Sequence, residues 1–457
     1  MVERGIMKTF SARYYLLFPI FFILFACHLF KGAFSSSSID ITGEETVKKF
    51  TLKNKMPVLI MEEPESRVVT LDVWVNTGSI NEPAGINGVS HFLEHMLFKG
   101  TQTRGVGEID AEIESVGGLW NAGTSTEFTH YYLTLAAPFF DTGIDTLSDV
   151  IANATLDPGE VEKERQVILE EYHRQQDDPS HFLITEAMRL SYEKSPYQRP
   201  VLGIPKTINS ISREKLFNYY KSRYAPENMV LVIAGAVKAD DILPVIEEKF
   251  GALERTFDPD SFTTDTVTLR SSGVKREFKK PVKEAYIFFT FPAPDISDPD
   301  QVYAADLLSY ILGEGRSSRL YHNVKEEKKL ASMITSDYPT HRRDGIFMVF
   351  ATFDYSRKDE LINAVLEELT QLRDKKIKTS ELRKSKRMIT NHLLFSQETT
   401  SGRTSEMGFY YTLTGDTRFA ETYVKKIQDV SAKRIREIAL NYLNPDLANI
   451  FIVRPEK

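Results

Sequence analysis

The chain is nearly devoid of cysteine, with Cys27 alone among 457 residues. A single thiol excludes a disulfide framework and any metal cluster built on thiolates. Positive charge is not in excess either. Lys and Arg total 57 against 64 Asp and Glu, a formal charge of −7, and no basic stripe interrupts the acidic balance. Nucleic-acid binding is therefore not expected. The apolar run near the start, Tyr14–Ala26, is short for a membrane-spanning helix. With 42% apolar residues, the length suffices for two or three domains with cores of their own.

What the chain does carry is His91-Phe92-Leu93-Glu94-His95. On a helix, positions i, i+3 and i+4 share a face, so two imidazoles and a carboxylate fall side by side. Two neutral imidazoles can hold two corners of a tetrahedral Zn²⁺, one ion per chain, leaving a third protein ligand to find and one open position. The carboxylate between them can take a proton from water at that centre. This is the inverted order of the His-Glu-x-x-His zinc motif. A second segment offers the third ligand. A long helix is predicted from Asp157-Pro158, with proline in its first turn and an apolar stripe of Val161, Ile168 and Tyr172. Glu164 and Glu171 lie seven residues apart and share a face two turns apart. One could bind metal while the other orients a ligand. Alone, the segment also fits a solvated acidic helix.

His91–His95, the following Met96-Leu97-Phe98-Lys99-Gly100-Thr101 and the distal Glu164…Glu171 pair resemble the pitrilysin (M16) family of zinc peptidases, in particular its bacterial, processing-peptidase-like members. The similarity covers almost the whole chain after the leader. It implies Zn²⁺ held by His91, His95 and Glu171, the last chosen over Glu170 by its spacing from the second histidine. It also implies Glu94 as general base and Glu164 as the supporting acid. Leu119–Thr124 matches the family's edge strand, which presents Asn121 and Ala122 to bound peptide. A substrate added there as a strand is read through its main chain, so broad peptide specificity follows. Without the resemblance, Asn121 after Gly117-Gly118 reads as a turn residue. His130 reads as a packed or polar strand residue. His173 and His181 lie on or near the acidic helix without a required role, and Tyr131 and Tyr132 read as sheet residues.

One segment departs from the family. Where self-sufficient members carry an arginine and, seven residues on, a tyrosine, this chain has Lys325 and Ser332. Lysine lacks arginine's planar fork, and serine falls short of a tyrosine's reach. Losing an oxyanion donor costs about a hundredfold or more in rate. The resemblance thus implies a zinc-bearing subunit that works with a homologous Arg/Tyr-bearing chain as a heterodimer, or as a homodimer. A local shift of alignment would instead give the task to Arg316 or Arg319 with Tyr321. The other reading is a non-catalytic structural subunit of the same fold.

Past the leader the chain reads as two similar halves. Residues 211–233 and 430–452 align without gaps at an offset of 219. In each, a serine N-cap (Ser212, Ser431) opens a helix. An apolar pair spaced as a staple (Ile211 with Leu216, Val430 with Ile435) brackets it. The helix ends at Pro226 or Pro445 and is followed by an apolar strand. The predicted fold is α+β: two duplicated domains, 39–250 and 273–457, joined by a linker at 251–272. Each is a mainly antiparallel sheet with helices on one face, and the family resemblance adds that the halves form a clamshell. Ahead of them, Arg4, Lys8 and Arg13 precede the apolar run, the pattern of an export signal. Leu24-Phe25-Ala26-Cys27 resembles the lipid-attachment box of bacterial lipoproteins, although Phe25 is bulkier than that box usually carries. Lipidation at Cys27, ordinary cleavage and an uncleaved anchor remain alternatives. All three imply export to a bacterial periplasm, with Ser35–Ser38 as a flexible tether.

Overall fold

The computed structural model describes residues 47–192, 195–255, 257 and 273–457. In the first half, β1 (Lys48–Thr51), β2 (Pro57–Glu62), β3 (Val68–Val75), β4 (Leu119–Thr124), β5 (Thr129–Ala136) and β6 (Met229–Gly235) form one sheet in the order β1-β2-β6-β3-β5-β4. Its helices are α1 (Val89–Leu97), α2 (Glu108–Ser115), α3 (Phe140–Asn153), α4 (Pro158–Asp177), α5 (Pro179–Ser191), α6 (Pro205–Ser210), α7 (Arg213–Arg223) and α8 (Ala239–Phe250). In the second half, β7 (Lys275–Lys280), β8 (Ala285–Ala293), β9 (Met333–Asp337), β10 (Gly345–Phe353) and β11 (Asn449–Pro455) form a sheet in the order β7-β11-β8-β10-β9. The helices there are α9 (Pro299–Leu312), α10 (Lys358–Asp374), α11 (Thr379–Ser396), α12 (Thr400–Thr414), α13 (Arg418–Asp429) and α14 (Ala432–Tyr442). The leader with Cys27, the Ser35–Ser38 tether and, of the expected linker, residues 256 and 258–272 lie outside the described residues. Among the described residues no helix is long and apolar enough to cross a membrane.

The duplication extends to strand order and direction. β2 runs parallel to β6, and β7 parallel to β11. The remaining neighbours, β6-β3-β5-β4 and β11-β8-β10-β9, are antiparallel throughout. The repeated helix–Pro–strand endings also match in detail: Ser212 Oγ accepts from the Lys215 N–H and Ser431 Oγ from the Arg434 N–H, both at 3.2 Å. The α+β architecture with two sheets is as expected.

Strand alternation decides which helices each sheet buries. In β3, Val69, Leu71, Val73 and Val75 face α1, α3 and α7, and join the first core with Phe92, Leu93, Met96 and Leu97 of α1. Burying each such side chain stabilises the fold by about 1.5–3 kcal/mol. The intervening residues, Thr70, Asp72 and Trp74, are buried too. Their cover comes from the other half. Helix α12 crosses the first sheet, setting Met407 against Trp74, Val230 and Val232, and Thr70 Oγ1 lies 2.7 Å from Thr400 Oγ1. In return α5 crosses the second sheet, where Ser191 Oγ lies 2.7 Å from Thr290 Oγ1. Residues 47–457 thus form one compact unit.

Gly408 makes the α12 crossing possible. A Cβ there would lie 2.1 Å from Trp74 Nε1. A second contact joins the halves through residues 338–344. The His341 ring stacks on Tyr197 at 4.9 Å, its Nδ1 lies 3.3 Å from the Tyr192 hydroxyl, and Glu127 accepts from both the Tyr197 hydroxyl and the Arg342 N–H. Burial lowers the pKa of His341 below the ordinary 6.5, although the Glu127 charge and the Asp344 backbone pull it upward.

Gly408→Ala is expected to lower unfolding stability by about 1–3 kcal/mol in urea titration, by overpacking; an unchanged midpoint would contradict the close approach. His341 holds its proton less firmly in the fold than in the unfolded chain. Its contribution is therefore complete above the unfolded pKa and is lost as pH falls below it. The thermal midpoint of His341→Gln should drop less than that of the unaltered chain between about pH 7.5 and about pH 5.5. Superimposable profiles would show that the ring does not couple to stability.

Candidate metal centre

Helix α1 opens at Gly88, whose φ of 95° is the left-handed conformation that suits glycine. It buries Val89, Phe92, Leu93, Met96 and Leu97, and so turns Glu94 and His95 toward a half-open rim, with His91 beside them. Helix α4 opens at Asp157, whose carboxylate accepts from the N–H groups of Gly159 (2.8 Å) and Glu160 (3.1 Å). Val161 and Ile168 are buried, and the Arg165 guanidinium lies over the Phe92 ring at 5.2 Å. The two helices therefore meet with their polar edges facing.

At that meeting, one ligand atom each from His91, His95 and Glu171 lies within 4.8 Å of the others. Nε2 of both histidines is 3.7 Å from Glu171 Oε2. A tetrahedral ion with bonds of about 2.0–2.1 Å needs its donors roughly 3.4 Å apart, so this donor set fits Zn²⁺ with little adjustment. Two imidazoles and one carboxylate are also the ligand chemistry that zinc takes. Glu170 is not part of the group, and among the described residues no other cluster of this kind forms.

The surrounding groups set the charge states. Burial, with the nearby His95, pushes the pKa of His91 well below the ordinary value and keeps it neutral, as a ligand must be. Burial also disfavours a charged His95, but the Glu164 hydrogen bond and the charges of Glu94, Glu171 and Glu164 outweigh it and raise the value. Glu164 Oε1 lies 2.8 Å from His95 Nδ1, and its other oxygen accepts from Lys99 Nζ at 2.9 Å. Burial opposes ionisation of Glu164, yet those two bonds hold its pKa below the usual carboxylate range. His95 Nδ1 thus carries the proton toward Glu164, and Nε2 is left as the donor atom. Glu94 is raised by burial against the pull of His95 and of the Thr124 hydroxyl, which donates to Glu94 Oε2 at 2.5 Å.

That last bond joins the rim to β4, an edge strand paired among the described residues with β5 alone. A tilted contact between the Phe98 and Trp120 rings, centres 4.1 Å apart, fixes the same strand against the end of α1. Asn121 is exposed on this edge, and its Oδ1 accepts from the N–H of the half-buried Ala122 at 2.8 Å. The roles of Thr124 and Lys99 escaped sequence reasoning, although both sit inside segments it singled out. Glu82 gave no signal at all. It is buried, accepts from the N–H groups of Gly88 (2.7 Å) and Ser90 (2.9 Å), and burial pushes its pKa up to about 8 against those bonds.

The other predicted residues are placed as follows. His130 is buried in β5 with Nδ1 3.1 Å from Asp72 Oδ1 and its ring 4.3 Å from that of Trp74, a packed polar strand residue. His181 sits 3.5 Å from Asp178, and His173 lies edge-on to Tyr172. In the second half, Arg319 is held by both oxygens of Glu381 (2.7 and 2.9 Å). The Lys325 ammonium lies over the Tyr321 ring at 4.8 Å, Ser332 Oγ lies 2.7 Å from Thr352 Oγ1, and Arg316 is exposed.

Comparison with known proteins gives this arrangement its family. Residues 57–204 match the model described as Insulinase (Peptidase family M16), and residues 210–389 match Peptidase M16 inactive domain. The chain belongs to the M16 peptidase family. Two relatives of this M16 chain carry the name uncharacterized zinc protease. The one from Bacillus subtilis is 28% identical over 88% of this chain and 97% of its own length. The one from Rickettsia felis is 29% identical over 84% and 92%. Among solved structures, a protease from Helicobacter pylori superposes with a TM-score of 0.83 at 24% identity, covering 90% of this chain and all of its own. An M16 inactive-domain protein from Pseudomonas fluorescens gives 0.83 at 18% identity, covering 90% and 98%. At these identities the superpositions establish the fold.

Removing the acid behind His95 should loosen the centre without dismantling it. Glu164→Gln is expected to weaken zinc affinity by about 10–100-fold in chelator competition. An affinity equal to that of the unaltered chain would deny Glu164 its orienting role.

Proposed function

We propose that this M16 chain is the zinc-bearing subunit of an exported endopeptidase. The observation that carries the reading is the convergence of His91, His95 and Glu171 beside a half-buried Glu94 and an open strand edge. The names of the B. subtilis and R. felis relatives agree with it. His91, His95 and Glu171 would hold one Zn²⁺, which when bound polarises a carbonyl and lowers the pKa of water. Glu94 would accept the water proton and pass it to the leaving amine. Its raised pKa suits a group that must take up and release a proton in one cycle. Glu164 would hold His95 in the tautomer that presents Nε2. Peptide would lie along β4 near Asn121 and Ala122, bonded through its main chain.

The second half supports a division of labour. Lys325 and Ser332 are each engaged within their own half, and Arg319 is committed to Glu381. A homologous subunit bearing arginine and tyrosine would supply the missing oxyanion donors as a heterodimer; a homodimer would have to work without them. The basic and apolar leader supports export to a bacterial periplasm, with membrane attachment through lipid on Cys27 or the uncleaved leader. The match of the second half to a domain model described as inactive favours the other reading, a structural subunit without chemistry. Bound zinc would speak against that reading.

The test is cleavage of a mixed peptide pool by the purified full chain beside its Glu94→Gln variant. Zinc in both proteins, with little cleavage by either, is the expected result. Brisk cleavage by the unaltered chain, abolished in the variant, would keep the peptidase and remove the partner. A protein that binds no zinc would overturn the reading.

A further inference from the structure

The two histidines of the centre are held by different means. His95 has Glu164 on its Nδ1 at 2.8 Å. The Nδ1 of His91 is buried and, among the described residues, has no hydrogen-bond partner. Metal-bound histidines ordinarily owe their orientation to a bond at the second nitrogen. The aim of His91 must then come from its backbone and packing.

His91 is the third residue of α1, in the first turn, where backbone N–H groups have no acceptor within the helix. The N-cap, Gly88, has no side chain to supply one. Glu82 supplies two. Its Oε2 accepts from the Gly88 N–H and its Oε1 from the N–H of Ser90, the residue before His91. The bracket is itself fixed from several sides. The Glu82 carbonyl accepts from Arg199 Nη1 at 2.7 Å, Ser90 Oγ lies 2.8 Å from the Tyr219 hydroxyl, and that hydroxyl lies 3.2 Å from Thr77 Oγ1. Behind Gly88 the chain at Leu202 stands so close that an added Cβ would lie 2.4 Å from the Leu202 carbonyl oxygen.

We propose that Glu82 is a positioning residue for the metal centre, aiming His91 through the backbone of the first turn of α1 as Glu164 aims His95 through its ring. The inference rests on the zinc-site reading above. It makes the two arms independent: one runs through a side chain of α4, the other through a loop carboxylate that touches no ligand.

The experiment measures Zn²⁺ affinity by chelator competition and the visible spectrum of the Co²⁺-loaded protein, on the full chain and on Glu82→Gln. The carboxamide keeps one acceptor and sets an N–H against the other backbone donor. Gly408→Ala serves as a variant that loses stability on the other face of the first sheet, against Trp74. The expected result is affinity weakened about tenfold or more in Glu82→Gln with an altered Co²⁺ spectrum, and neither change in Gly408→Ala. Unchanged affinity and spectrum in Glu82→Gln would overturn the proposal, as would an equal loss in Gly408→Ala. Should Glu82→Gln not fold, Tyr219→Phe takes its place. It removes the hydroxyl on Ser90 and should weaken affinity in the same direction; no change there would overturn the proposal. An unaltered chain that binds no metal would sink the zinc site and this inference together, whereas normal binding with indifferent variants would sink this inference alone.

Discussion

Glu164 is a carboxylate withdrawn almost entirely from water, and it stays ionised there only because α1 and the turn that follows it bring it two donors. His95, near the end of α1, and Lys99, just past it, each take one oxygen. This demand sets the register of α4 against α1. With Glu164 fixed between those donors, two turns of helix, about 10.5 Å, bring Glu171 to the Nε2 atoms of His91 and His95. The same bond decides the His95 tautomer. A single desolvated acid thus links the packing of two helices to the chemistry of their shared edge.

The rest of the fold serves to hold that edge beside an open strand. Thr124 on Glu94 and Trp120 on Phe98 tie β4 to α1, so the candidate base and the candidate peptide platform move as one body. The exchange of α5 and α12 across the sheets does the corresponding work between the halves. Trp74 and Thr70 are buried by residues more than three hundred positions away, and the second half cannot leave without uncovering them. The second half repeats the strand order of the first but carries no equivalent triad of histidine and acid among the described residues.

Much of this was legible in the residues, for identifiable reasons. The His91–His95 spacing and the Glu164–Glu171 spacing are set by helical period, so a local pattern carries them. The paired Ser–helix–Pro–strand endings are local in the same way, and their repeat at one offset exposed the duplication. Choosing Glu171 over Glu170 needed the family resemblance, since both sit on one helix and only tertiary packing separates them. What could not be read depends on contacts between distant segments. Glu82 caps a helix from a loop, where its acid looks like any surface acid. The α5–α12 exchange leaves only a few extra buried residues in β3, such as Thr70 and Asp72, where alternation alone predicts exposure. Lys325 and Ser332 were legible as departures from a pattern, but their present partners, Tyr321 and Thr352, were not.

The central claim is that His91, His95 and Glu171 form a zinc site. Zinc K-edge X-ray absorption on the purified full chain addresses it most directly. The account predicts a first shell of nitrogen and oxygen at roughly 2.0–2.1 Å with the outer-shell scattering of two imidazoles, and loss of one imidazole in His91→Ala. A protein without stoichiometric zinc, or an imidazole signal that His91→Ala leaves intact, would contradict it.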